Sequence, residues 1–153
     1  MKRVTGRQLV AQLGRLERVI EELAYAPRKV AVVAAPKLTR LLQQQFRRGE
    51  DPYGRPWAPL RPSTLARGRR PPPLTDTRRL RDGTKATPYP GGRAGIRLKV
   101  GRPYGYFHQV GFRVGRTRVP PRRILPQFGM PAAWREALAE AAREVGRQAR
   151  RVR

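Results

Sequence analysis

The chain has 153 residues and sets 35 Lys and Arg against 10 Asp and Glu, for a formal net charge of +25. That length bounds it to one domain with a modest core, and with no cysteine it can build neither disulfides nor thiolate metal sites. Only Lys2, Lys29, Lys37, Lys85 and Lys99 are lysines, so the charge is overwhelmingly arginine. Arginine matches phosphate and carboxylate with a bidentate fork. The charge therefore points to nucleic acid, to an acidic protein surface, or to a shared pore through which DNA passes. No basic amphipathic helix with a strong apolar face stands out and no apolar run reaches membrane-span length, so no membrane partner is expected. Met1 to Gly6 lacks the apolar segment of a signal peptide, and the cytoplasm in which the chain is made is the default expectation. Absent asparagine with abundant proline and arginine fits a GC-rich genome or a thermophilic source, which composition does not separate.

In chain order, Thr5 followed by Gln8 is a capping-box pattern that opens a helix. Leu9, Leu13, Leu16, Ile20 and Leu23 form its narrow apolar stripe, to be packed on its own domain or on a neighbouring subunit. The pattern stops near Tyr25, and Pro27 suits the first turn of a second helix carrying Val30, Val33, Leu38, Leu41, Leu42 and Phe46. Pro36 lies inside that helix and is expected to kink or split it.

Phe46 to Leu65 is rich in proline and glycine, which forbids a long helix or central strand. Its aromatic and aliphatic residues argue equally against a disordered linker. The stretch reads as a rigid loop with a turn at Asp51-Pro52-Tyr53-Gly54 and an anchor at Trp57. Trp57 and Leu60 are expected to pin it to the helix ending at Phe46, leaving Asp51 to Gly54 exposed. Ser63 is a candidate cap for a short helix. Arg67 to Pro73 is basic and proline-rich. It reads first as a solvated loop, and second as an arm that touches phosphate through Arg67, Arg69 and Arg70.

Ile96, Leu98 and Val100 alternate with Arg97 and Lys99, the clearest strand in the chain. Tyr104 to Gly111 is aromatic and reads as turn-rich, with His108 beside Gln109 in a partly buried turn. Phe112 to Val119 suits a hairpin through Gly115-Arg116. Pro120 to Pro126 is extended. Pro131 then opens a last helix with Trp134, Leu138, Ala141 and Val145 on one face and a basic tail through Arg150 and Arg151. The organisation expected is one domain, helical over 6–48, loop-rich over 49–92, mainly β over 93–126, with a C-terminal helix over 131–150.

Catalytic chemistry is hard to assemble from these residues. His108 is the sole histidine and Ser63 the sole serine. A metal site would need more ligands than that, and a triad of Ser63, His108 and Asp76 lacks any nucleophile-elbow context. Dinucleotide and P-loop glycine patterns are missing. The chain is expected to have no enzymatic activity and no cofactor. Neither a zinc finger, a ribonucleoprotein motif nor a helix-turn-helix is present, so any nucleic-acid contact would be nonspecific and salt-sensitive.

Five ordered motifs carry a resemblance. They are Phe46 with Gly49-Glu50-Asp51-Pro52-Tyr53-Gly54-Arg55-Pro56-Trp57-Ala58-Pro59-Leu60 and Ser63-Thr64-Leu65; Leu74-Thr75-Asp76-Thr77 with Leu80-Arg81; Val100-Gly101 with Tyr104; His108-Gln109 with Gly111; and Val119-Pro120 with Arg122-Arg123-Ile124-Leu125-Pro126. Over about Phe46 to Pro126 the chain resembles the phage virion morphogenesis family, the tail completion proteins of the Mu G type. Arg78 departs from the glycine usual there, Arg123 from a common hydrophobic residue, and Asp82 to Gly92 is poor in strand formers.

The resemblance implies an α+β fold, with N-terminal helices and a C-terminal helix beside a small antiparallel sheet and long Pro/Gly-rich loops. It implies a virion protein of the tail or neck, assembled in the host cytoplasm as a homo-oligomeric ring, expected as a hexamer, at the head-tail junction. Implied partners are tail terminator or tube proteins, head-completion or portal proteins, and duplex DNA contacted nonspecifically in the channel. Phe46, Asp51, Pro52, Gly54, Trp57, Pro59 and Leu60 form the signature loop. Asp76, Thr77, Tyr104, His108, Gln109 and Gly111 are the candidate assembly and turn motif. Arg67, Arg69, Arg70, Arg122, Arg123, Arg150 and Arg151 are candidate contacts to DNA or an acidic surface. A stand-alone basic nucleic-acid-binding protein is the alternative, resting on charge alone.

Overall fold

Helix α1 runs without a break over Gly6–Arg48, so the two helices expected from the sequence are one. The computed structural model describes residues 6–90 and 94–151, with side chains from residue 26 onward. The Thr5 cap and the Leu9 to Leu23 stripe lie outside the described residues and side chains. Pro27 and Pro36 sit inside the helix on its solvent face. On that face the carbonyl each leaves unpaired can turn to solvent, so neither has to end the helix. The opposite face buries Ala31, Ala34, Ala35, Leu38, Leu42, Gln45 and Phe46 at three- and four-residue steps.

Two short helices follow, α2 (Pro62–Ala66) and α3 (Arg79–Gly83), then an antiparallel pair of β1 (Lys85–Pro88) and β2 (Ile96–Lys99) in the register Ala86↔Leu98. Lys-Ala-Thr-Pro has no strand pattern of its own. It is a strand because the Thr39 hydroxyl of α1 accepts from Ala86 N at 3.0 Å and lies 3.2 Å from Ala86 O, docking β1 on the helix. Helix α4 (Tyr104–Val110) comes next, then a hairpin of β3 (Phe112–Val114) and β4 (Thr117–Val119) with Gly115 at φ 57° in its two-residue turn. Helix α5 (Ala132–Arg151) closes the chain. The class is α+β, with the β content in two separate two-stranded sheets.

The passage from Tyr104 to Val110 is therefore helix and not turn. Its aromatic residues and Gly105 are poor helix formers, and tertiary contact decides the matter. A Cβ on Gly105 would stand 2.3 Å from Val100 Cγ1 and 3.0 Å from Leu80 Cδ1, so α4 packs with its backbone against Val100, just past β2, and against α3.

Two apolar clusters hold the domain together. In one, Trp134 and Ala137 of α5 meet Ala35, Leu38 and Leu42 of α1, with Ala86 below. Lys37 reaches across to Glu140 at 2.9 Å and Glu144 at 3.6 Å. In the other, Phe46, Trp57, Leu80 and Ile124 come together.

Candidate functional site

The family-like motifs converge on the extended segment from Arg122 to Leu125, which has no strand partner. Side chains satisfy its backbone instead. Gln45 Nε2 donates to Ile124 O at 3.2 Å and Trp57 Nε1 to Arg123 O at 2.9 Å. Gln109 Oε1 accepts from Ile124 N at 2.7 Å and Leu125 N at 2.9 Å, while its Nε2 donates to Leu125 O at 2.8 Å. Phe46 and Trp57 meet edge to face, ring centroids 5.4 Å apart. Thus Phe46, Trp57 and Gln109 are one piece of structural hardware.

The turn at Asp51 differs from the exposed one expected. Asp51 and Pro52 are buried, because Asp51 Oδ1 accepts from Tyr53 N at 2.8 Å and Arg55 N at 2.9 Å. Only Gly54 at its tip is exposed, at φ 80°. The Tyr53 hydroxyl accepts from Phe128 N at 2.8 Å and donates to Phe128 O at 2.7 Å, tying this turn to the segment that leads into α5. Pro59 is exposed and Leu60 half-buried.

Arg122 corrects the expectation of a surface contact. It is 6% exposed, its Nε and Nη2 donating to Ala58 O at 2.9 Å and Pro59 O at 3.0 Å. The segment bearing it runs beneath the signature loop, so its guanidinium cannot reach a phosphate. Arg123 is half-buried, its guanidinium 5.7 Å from the centre of the Phe128 ring. Arg67, Arg69, Arg70, Arg150 and Arg151 are exposed.

Asp76, Thr77, Tyr104 and His108, distant in sequence, line one cleft of about 360 Å³ together with Leu60 and Arg69. Asp76 is paired with Arg69. His108 sits edge-on to Tyr104 and Phe112. Burial, then the charge of Arg122, holds its pKa below the usual histidine value. Ser63 is exposed on α2 and is not among the residues lining that cleft, so the triad conceivable from the sequence has no geometry. Gly111, at φ 79°, ends α4 where a Cβ would meet Val119 O at 3.1 Å and Pro121 at 3.1–3.2 Å.

Two features escaped the sequence reading. Tyr106, Phe107 and Val110 stand out from α4, 66%, 52% and 48% exposed, and Phe107 continues through Phe112 to Val114 of the hairpin. Such exposed apolar surface is a candidate contact surface. The i, i+1, i+4 spacing would have revealed it had α4 been recognised as helix. The second is a basic cleft of about 400 Å³ lined by Arg47, Arg70, Arg78 and Arg81. These residues belong to three segments that only the fold brings together.

The model of the phage virion morphogenesis family matches residues 7–150. The chain belongs to the phage virion morphogenesis family. No curated protein and no solved structure matches it. As a virion morphogenesis protein it has a part in building the phage particle and is virion-associated. Among the described residues of this morphogenesis protein, no three His, Cys, Asp or Glu side chains gather as metal ligands would.

Proposed function

We propose that this protein is a non-enzymatic structural subunit that completes the phage tail, forming a homo-oligomeric ring at the head-tail junction. The observation that carries this reading is the aromatic face of Tyr106, Phe107, Val110 and Val114, left in water by the single chain. A family role in morphogenesis supports burying that face in an assembly. A ring follows when the face meets a different surface on the next copy and the rotation between copies closes. A hexamer is the expected copy number, with tail terminator or tube proteins on one side and head-completion or portal proteins on the other. The fixed proline-rich loops lower the entropy cost of docking to both.

The test is assembly. Purified protein should form rings in negative-stain images, alone or with its neck and tail partners, and Phe107→Glu should yield folded protein that does not. A protein that stays monomeric among those partners, or tails lacking it that still join heads, would overturn the reading.

A further inference from the structure

We propose that the cleft between the end of α1, the proline loop and α3 is a binding site for the phosphodiester backbone of duplex DNA. This rests on the reading above, in which the subunit stands where DNA passes, and adds the residues that would meet the DNA. Arg47 comes from the last turn of α1, Arg70 from the loop, Arg78 from the residue just before α3, and Arg81 from α3 itself. Among the described residues Asp76 is the only carboxylate lining the cleft, and it is paired with Arg69. Arg81 uses Nε on Asp82 at 2.7 Å, while no carboxylate among the described residues pairs with Arg47, Arg70 or Arg78.

The frame under these guanidinium groups is tight. A Cβ on Gly49 would stand 2.8 Å from Pro72 Cβ, so the proline loop lies directly against the chain leaving α1. Thr75 Oγ1 donates to Pro72 O at 2.6 Å, Arg78 N to Thr75 O at 3.2 Å, and Asp82 N to Arg78 O at 2.8 Å. Arg78 itself stands at φ 56°, in the left-handed region that glycine occupies without steric cost. An arginine kept in that conformation is what a functional guanidinium at this point would require.

The lining also decides the class of partner. Apart from prolines it contains no aliphatic or aromatic side chain, so it offers no pocket for the apolar anchor of a peptide. The prolines offer no N–H donors with which to pair a peptide backbone. Charge on a rigid frame is sufficient for phosphates, which need no sequence reading.

The test is duplex binding measured by fluorescence anisotropy over a salt series, with a labelled poly-glutamate peptide as the second probe. Arg78→Gly should melt at or above the wild-type temperature, since it relieves the backbone, yet bind duplex several-fold more weakly. Its slope of log affinity on log salt should fall by about 0.9, as for one lost phosphate contact. The double variant Arg47→Gln/Arg70→Gln should lose about twice that slope, and Arg135→Gln, on exposed α5 surface, should change far less. Cleft variants with wild-type duplex affinity and slope would overturn the proposal. So would an equal loss in Arg135→Gln, or loss of poly-glutamate binding alone, which would make the partner an acidic protein. Negative-stain images of the same samples separate the two readings. Rings with unaltered duplex binding in the cleft variants sink the cleft alone, whereas weakened binding without rings sinks only the ring.

Discussion

The side-chain amide of Gln109 binds the backbone of Leu125 as a neighbouring strand would, accepting from its N–H at 2.9 Å and donating to its carbonyl at 2.8 Å. The same oxygen takes Ile124 N–H at 2.7 Å. A loop segment that would otherwise bury unpaired peptide groups is thereby satisfied from a helix. Gln109→Ala strands both donors and is expected to cost about 3 kcal/mol in urea denaturation. Gln109→Glu keeps the acceptor for both N–H groups but loses the donor to the Leu125 carbonyl, so it should cost less than Gln109→Ala. Equal losses in the two variants would refute the pairing role.

Trp57 contributes in two separable ways, through its buried ring against Phe46 and through its indole N–H to Arg123 O at 2.9 Å. Trp57→Ala loses both and should cost about 3–5 kcal/mol. Trp57→Phe keeps much of the ring and should cost about 1–2 kcal/mol, mainly the stranded carbonyl and a smaller ring. Equal losses in chemical denaturation would mean that the hydrogen bond, not the ring, anchors the loop.

How far such features can be read from sequence depends on whether their cause is local. Trp57 among prolines, the Gly115 hairpin and the Trp134 helix face are legible because turn chemistry and periodicity lie within a few residues of each other. Asp51 reads as exposed because a short acidic residue beside proline usually is; its burial follows from two N–H donors that fold back onto one oxygen. β1 and α4 are illegible for a different reason. Lys-Ala-Thr-Pro becomes a strand through Thr39, 47 residues away, and Tyr104 to Val110 becomes a helix by packing on Val100 and Leu80. Arg47, Arg70 and Arg78 are each unremarkable in a chain so rich in arginine, and share a cleft only through the tertiary fold.

His108 should make the fold sensitive to mild acid. Burial and the nearby Arg122 charge lower its folded pKa below the ordinary 6.5. Below 6.5 the unfolded chain takes up a proton before the folded one does, so stability falls with pH across that window and levels off below the folded pKa. At higher pH the histidine contributes no pH dependence. His108→Gln should flatten the melting temperature between pH 7.5 and pH 5, about one unit either side of the ordinary histidine range. An unchanged slope in the variant would assign the acid sensitivity to groups other than His108.

Gly105 tests whether α4 is positioned by close packing. Its missing Cβ is what lets α4 lie 2.3 Å, measured from the ideal Cβ position, from Val100 Cγ1, with buried Leu80 behind and unable to retreat. Alanine favours the helix by up to about 1 kcal/mol over glycine, but overpacking costs about 1–3 kcal/mol, so Gly105→Ala should be net destabilising. Val100→Ala removes the opposing methyl groups. If the clash is the cause, the double variant should be more stable than the sum of the single effects predicts, with a coupling of about 1 kcal/mol or more. Because α4 presents Tyr106, Phe107 and Val110, the same pair should lose and regain assembly together, read by negative-stain imaging. Additive stabilities with assembly intact throughout would show that α4 is not set by this contact.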